Sequence, residues 1–186
     1  MKKIMCVVIP ILIGSQAWAV TNKEIIQNIA VNVILKTYQD MATQTAALKN
    51  KIDEFVKKPN QVNLDSAKEA WKVARAPWES TESFLFGPVD SLGLDPQVDT
   101  WPLNRLDLDG VLSSGRQIIV DLVRNLGTNL QGYHTVEYLL FGSGLVSNNK
   151  PLSEFTSVEM DYLVATSTLL AEYAAHLAYT CLLYTS

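Results

Sequence analysis

The chain has 186 residues, of which 19 are acidic and 15 are basic, giving a formal net charge of −4. An acidic chain without a basic cluster is not expected to bind nucleic acid or an anionic membrane surface. Its length, with 48% hydrophobic residues, predicts a single domain with a substantial core.

The first 19 residues have the pattern of a secretory signal peptide. Lys2 and Lys3 precede an apolar run at positions 4–13, and the small residues around Ala19 indicate cleavage after it. The run is shorter than the roughly 20 residues that a membrane-spanning helix needs, although an uncleaved membrane anchor is the alternative interpretation. The mature chain is therefore predicted to lack a transmembrane segment and to be exported to a bacterial periplasm.

The last six residues, CLLYTS at 181–186, resemble the translated end of a transposon-based sequencing adapter. They are expected not to belong to the protein, with a genuine terminus of this sequence as the alternative, and the predicted helical domain comprises 20–180, truncated at its C-terminus. Cys6 and Cys181 both lie in the terminal segments, so the domain has no disulfide and no thiolate ligand. Loss of the two signal-peptide lysines changes the net charge from −4 to −6.

The spacing of hydrophobic residues predicts two long helices in the first half of the domain. Thr21 and Glu24 form a capping-box signature. A spacing of four and three then predicts a helix ending at Pro59, with an inward-facing row at Ile34, Tyr38, Met41, Thr45, Leu48, Ile52 and Phe55. A second helix, interrupted by Pro77, is predicted from Asn63 or Asp65 to Gly87 with an inward-facing row at Ala67, Trp71, Ala74, Trp78 and Leu85.

A long loop and three further helices are predicted in the second half. The segment 87–106 is rich in Gly, Pro and Asp and has no helical period, which indicates a packed loop with a functional role. The third helix is predicted at 109–126 with Gly127 as its C-cap. The fourth ends at Gly142, and the fifth begins near Pro151. No strand pattern is present, so the predicted class is all-α, an up-and-down helical bundle.

The stretch GYHTVEYLLFG at 132–142 places His134 and Glu137 three residues apart in an apolar helix. Residues at this spacing share one helix face, so both side chains can reach one atom. An imidazole nitrogen and a carboxylate oxygen suit iron, manganese or zinc. The alternative is a buried histidine hydrogen-bonded to a neighbouring glutamate. Two side chains do not complete a metal site, since even catalytic zinc sites keep three protein ligands.

Four other acidic residues are candidates for the missing ligands. Glu82 lies four residues after one inward-facing tryptophan and three before an inward-facing leucine, so it is predicted to face inward, where a carboxylate requires a cation. Glu79 is a further candidate, although Arg75 four residues earlier also predicts a surface ion pair. Asp90 and Asp99 in the long loop are candidates as well, with turn or cap roles as their alternative.

Several other chemistries are disfavoured by the residues present. No H-E-x-x-H zinc-protease motif occurs, because Thr135 follows His134. The DLDG stretch at 107–110 lacks the flanking acids of a calcium loop, since arginines occupy those positions. The second histidine, His176, is expected on a helix surface or in the core rather than at a metal.

Three stretches together resemble the imelysin-like family. GYHTVEYLLFG resembles its G-x-H-x-x-E motif, and WKVARAPWESTESFLFGPVDS at 71–91 and DTWPLN at 99–104 resemble further characteristic segments in the same order. The resemblance covers about 21–179. It implies two helical bundles with the functional site near their junction, of which this chain holds the first bundle and the beginning of the second. It also implies that His134 and Glu137 are the motif pair, with Glu82 and Glu79 nearby.

The family includes imelysin peptidases and periplasmic iron-binding proteins, so the resemblance leaves the function open. The leading hypothesis is a periplasmic protein that binds iron or another divalent metal, including zinc, for iron acquisition. Its expected partners are the metal ion and other periplasmic or membrane components of iron uptake. The alternatives are a metallopeptidase, which requires metal-activated water and a general base, and a non-catalytic periplasmic interaction module.

Overall fold

A computed structural model describes residues 20–144 and 149–185, so the predicted signal peptide lies outside the described residues. These residues form helices α1 (Asn22–Asn28), α2 (Lys36–Lys57), α3 (Gln61–Glu79), α4 (Pro88–Ser91), α5 (Leu94–Asp99), α6 (Arg105–Ser113), α7 (Val120–Arg124), α8 (Tyr133–Phe141) and α9 (Ser157–Thr185). A π-helical segment, Ile29–Leu35, joins α1 to α2, and 3₁₀ turns occur at Thr128–Leu130 and Leu152–Glu154. The described residues contain no strand, so the all-α prediction is confirmed.

The core is built around α2, which packs against both α3 and α9. The predicted capping box at the start of the chain is present, because the Thr21 hydroxyl accepts a hydrogen bond from the Glu24 amide and the Glu24 carboxylate accepts one from the Thr21 amide. The inward-facing row predicted for α2 is buried from Tyr38 to Phe55. A connection of only three residues at 58–60 makes α2 and α3 antiparallel neighbours, which is the predicted up-and-down arrangement.

The loop predicted at 87–106 is partly helical. It contains α4 and α5, which begin after Gly87 and Gly93, both of which have a positive φ. Val89, Leu94 and Val98 are buried, which confirms that this segment is packed. Helix α5 lies against α8 and α9, so this irregular segment is held against the end of the bundle where the histidine motif lies.

The single helix predicted at 109–126 is wrong. Helix α6 ends at Ser113, Gly115 has a φ of +71°, and the chain resumes a helix only at Val120. The serines and glycine of this segment are poor helix formers, which explains the break. Gly127 is not a helix C-cap, because α7 ends at Arg124 with Asn125 as its cap.

Three other boundaries differ from the prediction. Helix α3 begins at Gln61 after the cap residue Asn60, and it ends at Glu79 rather than at Gly87. Helix α9 begins at Ser157, where Thr156 and Glu159 form a second capping box. It continues through Thr185, and Cys181 is buried in it. No described helix has the length and apolar character needed to cross a membrane.

Candidate functional site

Helix α8 carries the histidine motif and ends at Gly142, as predicted, and Gly132 precedes its first residue. Its first residue, Tyr133, is buried and anchors the helix to α3. The Tyr133 hydroxyl donates a 2.7 Å hydrogen bond to the carbonyl of Ala74, and the Tyr133 carbonyl accepts one of 3.1 Å from the Trp71 indole. Burial raises the pKa of the Tyr133 phenol, so it remains a neutral donor. The start of α8 is therefore fixed against α3.

Gly132 brings α8 close to the end of α5. Its φ is +82° and its ψ is −167°, a conformation that only glycine populates readily. A Cβ atom at this position would lie 2.3 Å from the carbonyl oxygen of Val98. Because Gly132 has no side chain, its backbone can approach that of Val98. This brings the nearby His134 and Asp99 together. This close approach accounts for the glycine in the motif.

His134 lies between two carboxylates. Its Nδ1 atom is 3.1 Å from Oε2 of Glu137, and its Nε2 atom is 3.2 Å from Oδ1 of Asp99. The exposed fractions of the side chains are 19% for His134, 12% for Asp99 and 42% for Glu137. The Nε2 side of the ring thus faces a mostly buried carboxylate, and the Nδ1 side faces a more exposed one.

Asp99 is held in place by two further donors from α3. The Trp78 indole donates a 2.7 Å hydrogen bond to its Oδ2 atom, and the Arg75 guanidinium donates to its Oδ1 atom. Arg75 also donates to Glu79 and lies over the Tyr133 ring, 5.2 Å from its centroid. Burial opposes the charge on Arg75, but the hydrogen bonds and charges of Asp99 and Glu79 outweigh burial and raise the pKa of the guanidinium. Arg75 and Trp78 therefore hold the Asp99 carboxyl group in place beside His134 Nε2.

The other face of His134 borders an open cleft of about 620 Å³. The cleft lies between α3, the 101–105 segment and α8. The Trp101 ring covers His134 at a centroid distance of 4.6 Å. The described residues lining the cleft are mainly aromatic or apolar, together with the ionisable side chains of Lys72, Arg105, His134 and Glu137.

The structure separates the acidic residues that the sequence grouped together. Asp99 contacts His134 directly, and Glu79 forms the i,i+4 ion pair with Arg75 that was the alternative interpretation of its position. The prediction that Glu82 faces inward is wrong, because α3 ends three residues before it and its side chain is exposed. Asp90 is also exposed, on α4, and within the described part of the chain it forms no ion pair with His134.

Other side chains of this site were not assigned a role there from the sequence. The sequence predicts Trp78 only as a core residue and Arg75 only as a partner for Glu79, and it assigns Trp101 no role of its own. Their roles depend on contacts between segments more than 20 positions apart, because Arg75 and Trp78 on α3 contact Asp99 and Trp101 contacts His134 on α8. The available signal was the DTWPLN segment, in which Asp99 and Trp101 lie two residues apart.

Within 20–144 and 149–185, no group of three or more His, Cys, Asp or Glu side chains is placed to hold a metal ion. The reason at this site is geometric, since Asp99 and Glu137 contact different nitrogens of the His134 ring. One carboxylate and one imidazole nitrogen face the cleft, and the second carboxylate lies behind the ring. The site therefore presents two donors to the cleft rather than a complete coordination sphere.

The family model for imelysin matches residues 34–180, which include every described residue that lines the cleft. The chain belongs to the imelysin family. It is 34% identical over 128 residues to iron-regulated protein A of Synechococcus elongatus, and this match covers 69% of the chain and 34% of the relative. It is therefore an imelysin-like chain related to an iron-regulated protein.

Two solved structures share the fold. A crystal structure from Parabacteroides distasonis, described as an iron-regulated protein A precursor, matches with a TM-score of 0.74 and 30% identity over 87% of this chain and 46% of that one. An imelysin-like protein from Psychrobacter arcticum matches with a TM-score of 0.75 over 88% of this chain and 50% of that one. Its identity is 16%, so it supports the fold alone. The chain spans about a third of the length of the curated relative and about half of the length of the solved structures.

Proposed function

We propose that this chain is part of an exported imelysin-like protein that binds iron or another divalent metal through His134 and Glu137 and serves iron acquisition. The observation that carries the proposal is the pairing of His134 Nδ1 with Glu137 Oε2, 3.1 Å apart at the edge of the cleft. Two such donors can bind one ion by replacing the proton that lies between them.

Glu137 is better suited than Asp99 to be the carboxylate ligand of such a metal beside His134. Iron, manganese and zinc all accept imidazole and carboxylate ligands. Asp99 already has a cation, because Arg75 donates to the oxygen that faces His134. Metal-binding histidines commonly donate their second ring N–H to a carboxylate, which fixes the tautomer and the orientation of the ring. In this arrangement His134 Nε2–H donates to Asp99, and Nδ1 remains for the metal.

The remaining coordination positions belong to ligands other than these two side chains. Glu79 is neutralised by Arg75, and Glu82 is exposed beyond the end of α3. We therefore assign the metal to His134 and Glu137, with Asp99 as the residue that positions the histidine. Water or a molecule that arrives with the metal supplies the other donors.

Export to the periplasm is proposed from the signal-peptide pattern of the first 19 residues. The relative from Parabacteroides distasonis is described as a precursor, which agrees with export. The proposed partners are the metal ion and other periplasmic or membrane components of iron uptake. The names of both iron-regulated relatives support this role.

The double variant His134→Ala with Glu137→Ala is expected to lose metal binding. Changing a residue that only orients a metal ligand typically weakens metal affinity by about 10–100-fold, so removal of both donors should lower it by more than about 100-fold. The measurement is titration of the purified chain with ferrous iron and with zinc by calorimetry. Both side chains are partly exposed, so the melting temperature should change little.

A matched control is the pair His176→Ala with Glu54→Ala, which removes the same two residue types from exposed helix positions. This control and Glu82→Ala should both bind metal like the unmodified chain. Unchanged metal affinity in the His134/Glu137 variant, together with a lower melting temperature, would assign the motif a structural role instead. Chelator-sensitive cleavage of an unfolded protein by the unmodified chain, lost in that variant, would replace the proposal with the metallopeptidase alternative.

A further inference from the structure

We propose that the cleft takes its metal as a complex with a small organic chelator that carries several carboxylates, rather than as a bare ion. This inference rests on the function proposed above and names the chemical form of its cargo. It is carried by the size, the walls and the charge of the cleft beside His134 and Glu137.

The size of the cleft fits a small molecule. Its volume of about 620 Å³ lies within the range of roughly 300–1,000 Å³ that is typical of small-molecule sites. A single ion with two protein ligands occupies only a small part of that space. The two donors lie on α8, so a ligand bound to the metal at this point would extend over the rest of the cleft.

The walls of the cleft are suited to a carbon skeleton. Trp71 and Phe141 meet edge to face with ring centroids 5.4 Å apart. Trp101 is 72% exposed and lies over His134 from the opposite segment. Together with Trp71 and Phe141 it gives the cleft one apolar wall beside polar donors, and such a contiguous patch is a feature of a binding surface. A hydrated ion would gain nothing from these apolar faces.

The charge of the cleft favours an anionic ligand. Arg105 and Lys72 both line it, whereas Glu137 is the only acidic side chain among the described lining residues. The Arg105 guanidinium lies 5.8 Å from the centroid of the Tyr138 ring, which keeps it beside α8. The ion pair of Lys72 with Glu69 is 3.2 Å long and highly exposed, so it holds the ammonium weakly. A bare cation would be repelled by these two side chains, and free carboxylates of a chelate would be attracted.

The chelator also supplies the donors that the chain lacks. His134 Nδ1 and Glu137 Oε2 would replace two water molecules on the chelated ion, and no electron is transferred in this exchange. The organic ligand occupies the other positions of the ion. Its outer carboxylates would then accept hydrogen bonds from Arg105 and Lys72. A chelated metal therefore explains both why the chain offers only two donors and why the cleft has excess positive charge.

The proposal is tested with gallium(III) citrate, a redox-inert probe for ferric citrate, in parallel with Mn²⁺ alone and citrate alone. The unmodified chain should bind the gallium chelate at least about tenfold more tightly than Mn²⁺. Arg105→Gln combined with Lys72→Gln should weaken chelate binding by about tenfold or more, because hydrogen bonds to charged groups are lost. The same variant should bind Mn²⁺ at least as tightly as before. Arg116→Gln, at an exposed position between α6 and α7, is the control and should change neither affinity.

Equal affinity for Mn²⁺ and the chelate, with no effect of the Arg105/Lys72 variant, would overturn this inference and leave the metal-binding function intact. Failure to bind the metal in either form would overturn both. Binding of citrate alone, unaffected by His134→Ala, would also contradict the inference, because the metal would then play no part in recognition.

Discussion

Replacement of Gly132 by alanine is expected to lower the free energy of unfolding by about 2–6 kcal/mol. A φ of +82° with a ψ of −167° costs an alanine about 1–3 kcal/mol. The added Cβ would lie 2.3 Å from the Val98 carbonyl oxygen and 2.7 Å from its carbon, and overpacking of this kind costs a further ~1–3 kcal/mol. For a chain of this size the melting temperature should fall by roughly 5–20 °C.

Two other glycines separate strain from steric contact in this experiment. Gly110 lies within α6 with a helical φ and no atom close to its Cβ direction, so Gly110→Ala should stabilise the chain by about 0.5–1 kcal/mol. Gly142 has a φ of +89°, but its nearest neighbour is the Lys150 Cβ atom at 3.6 Å. Gly142→Ala should therefore show the strain alone. The close approach of α8 to α5 would be refuted by a Gly132→Ala chain that melts like the Gly142→Ala chain.

Asp99→Asn is expected to weaken both the fold and the metal site. Asp99 accepts hydrogen bonds from Arg75 and Trp78 and faces His134 Nε2, and an amide can offer only one acceptor oxygen to these donors. Breaking a buried ion pair typically costs about 3–5 kcal/mol. Glu79 remains beside Arg75, so we expect a loss of about 2–4 kcal/mol measured by denaturant unfolding. Metal affinity should fall by about 10–100-fold, as for other residues that orient a metal-binding histidine.

The positioning role of Asp99 has a signature that stability alone does not give. Nitrogen NMR of the zinc-loaded chain should show His134 bound to the metal through Nδ1 and protonated at Nε2, and this single pattern should be lost after Asp99→Asn. Asp90→Asn changes the same residue type at an exposed position. It should alter neither the free energy of unfolding, nor the metal affinity, nor the nitrogen NMR signals of His134. Metal affinity that is unchanged in the folded Asp99→Asn chain would contradict the positioning role.

Long periodic helices were predictable because one rule determines them. The row from Tyr38 to Phe55 repeats at a spacing of three and four, and burial of that face fixes α2 without reference to the rest of the chain. The end of α8 was also predictable, since Gly142 interrupts the helix. In both cases the local sequence and the tertiary packing favour the same structure.

The predicted helix ends are wrong where the local sequence pattern and the tertiary packing favour different structures. The inward-facing row predicted for α3 extends to Leu85, but the helix ends at Glu79. Beyond this end Thr81 is buried, whereas Glu82, which was expected to face inward, is exposed. The segment 109–126 has hydrophobic residues at helical spacing, but its serines and Gly115 divide it into two helices. Spacing alone carries no information on where a helix ends.

The site was only half predictable from the sequence. His134 and Glu137 are neighbours on one helix, so their contact follows from a spacing of three residues. The contact of Asp99 with His134 joins positions 35 residues apart, and it exists because a glycine allows two backbones to touch. Asp90 and Asp99 have the same loop context in the sequence, and only tertiary structure distinguishes the exposed residue from the one fixed by Arg75 and Trp78.

Anomalous X-ray diffraction at the iron edge, from crystals of the chain grown with a saturating iron complex, tests the central claim most directly. We expect a single strong peak in the cleft, within about 2.5 Å of both His134 Nδ1 and a carboxylate oxygen of Glu137. We also expect Asp99 to remain hydrogen-bonded to Nε2. An ordered iron ion bound by other residues, or a cleft without iron in crystals that contain iron elsewhere, would contradict the assignment of this motif as the metal site.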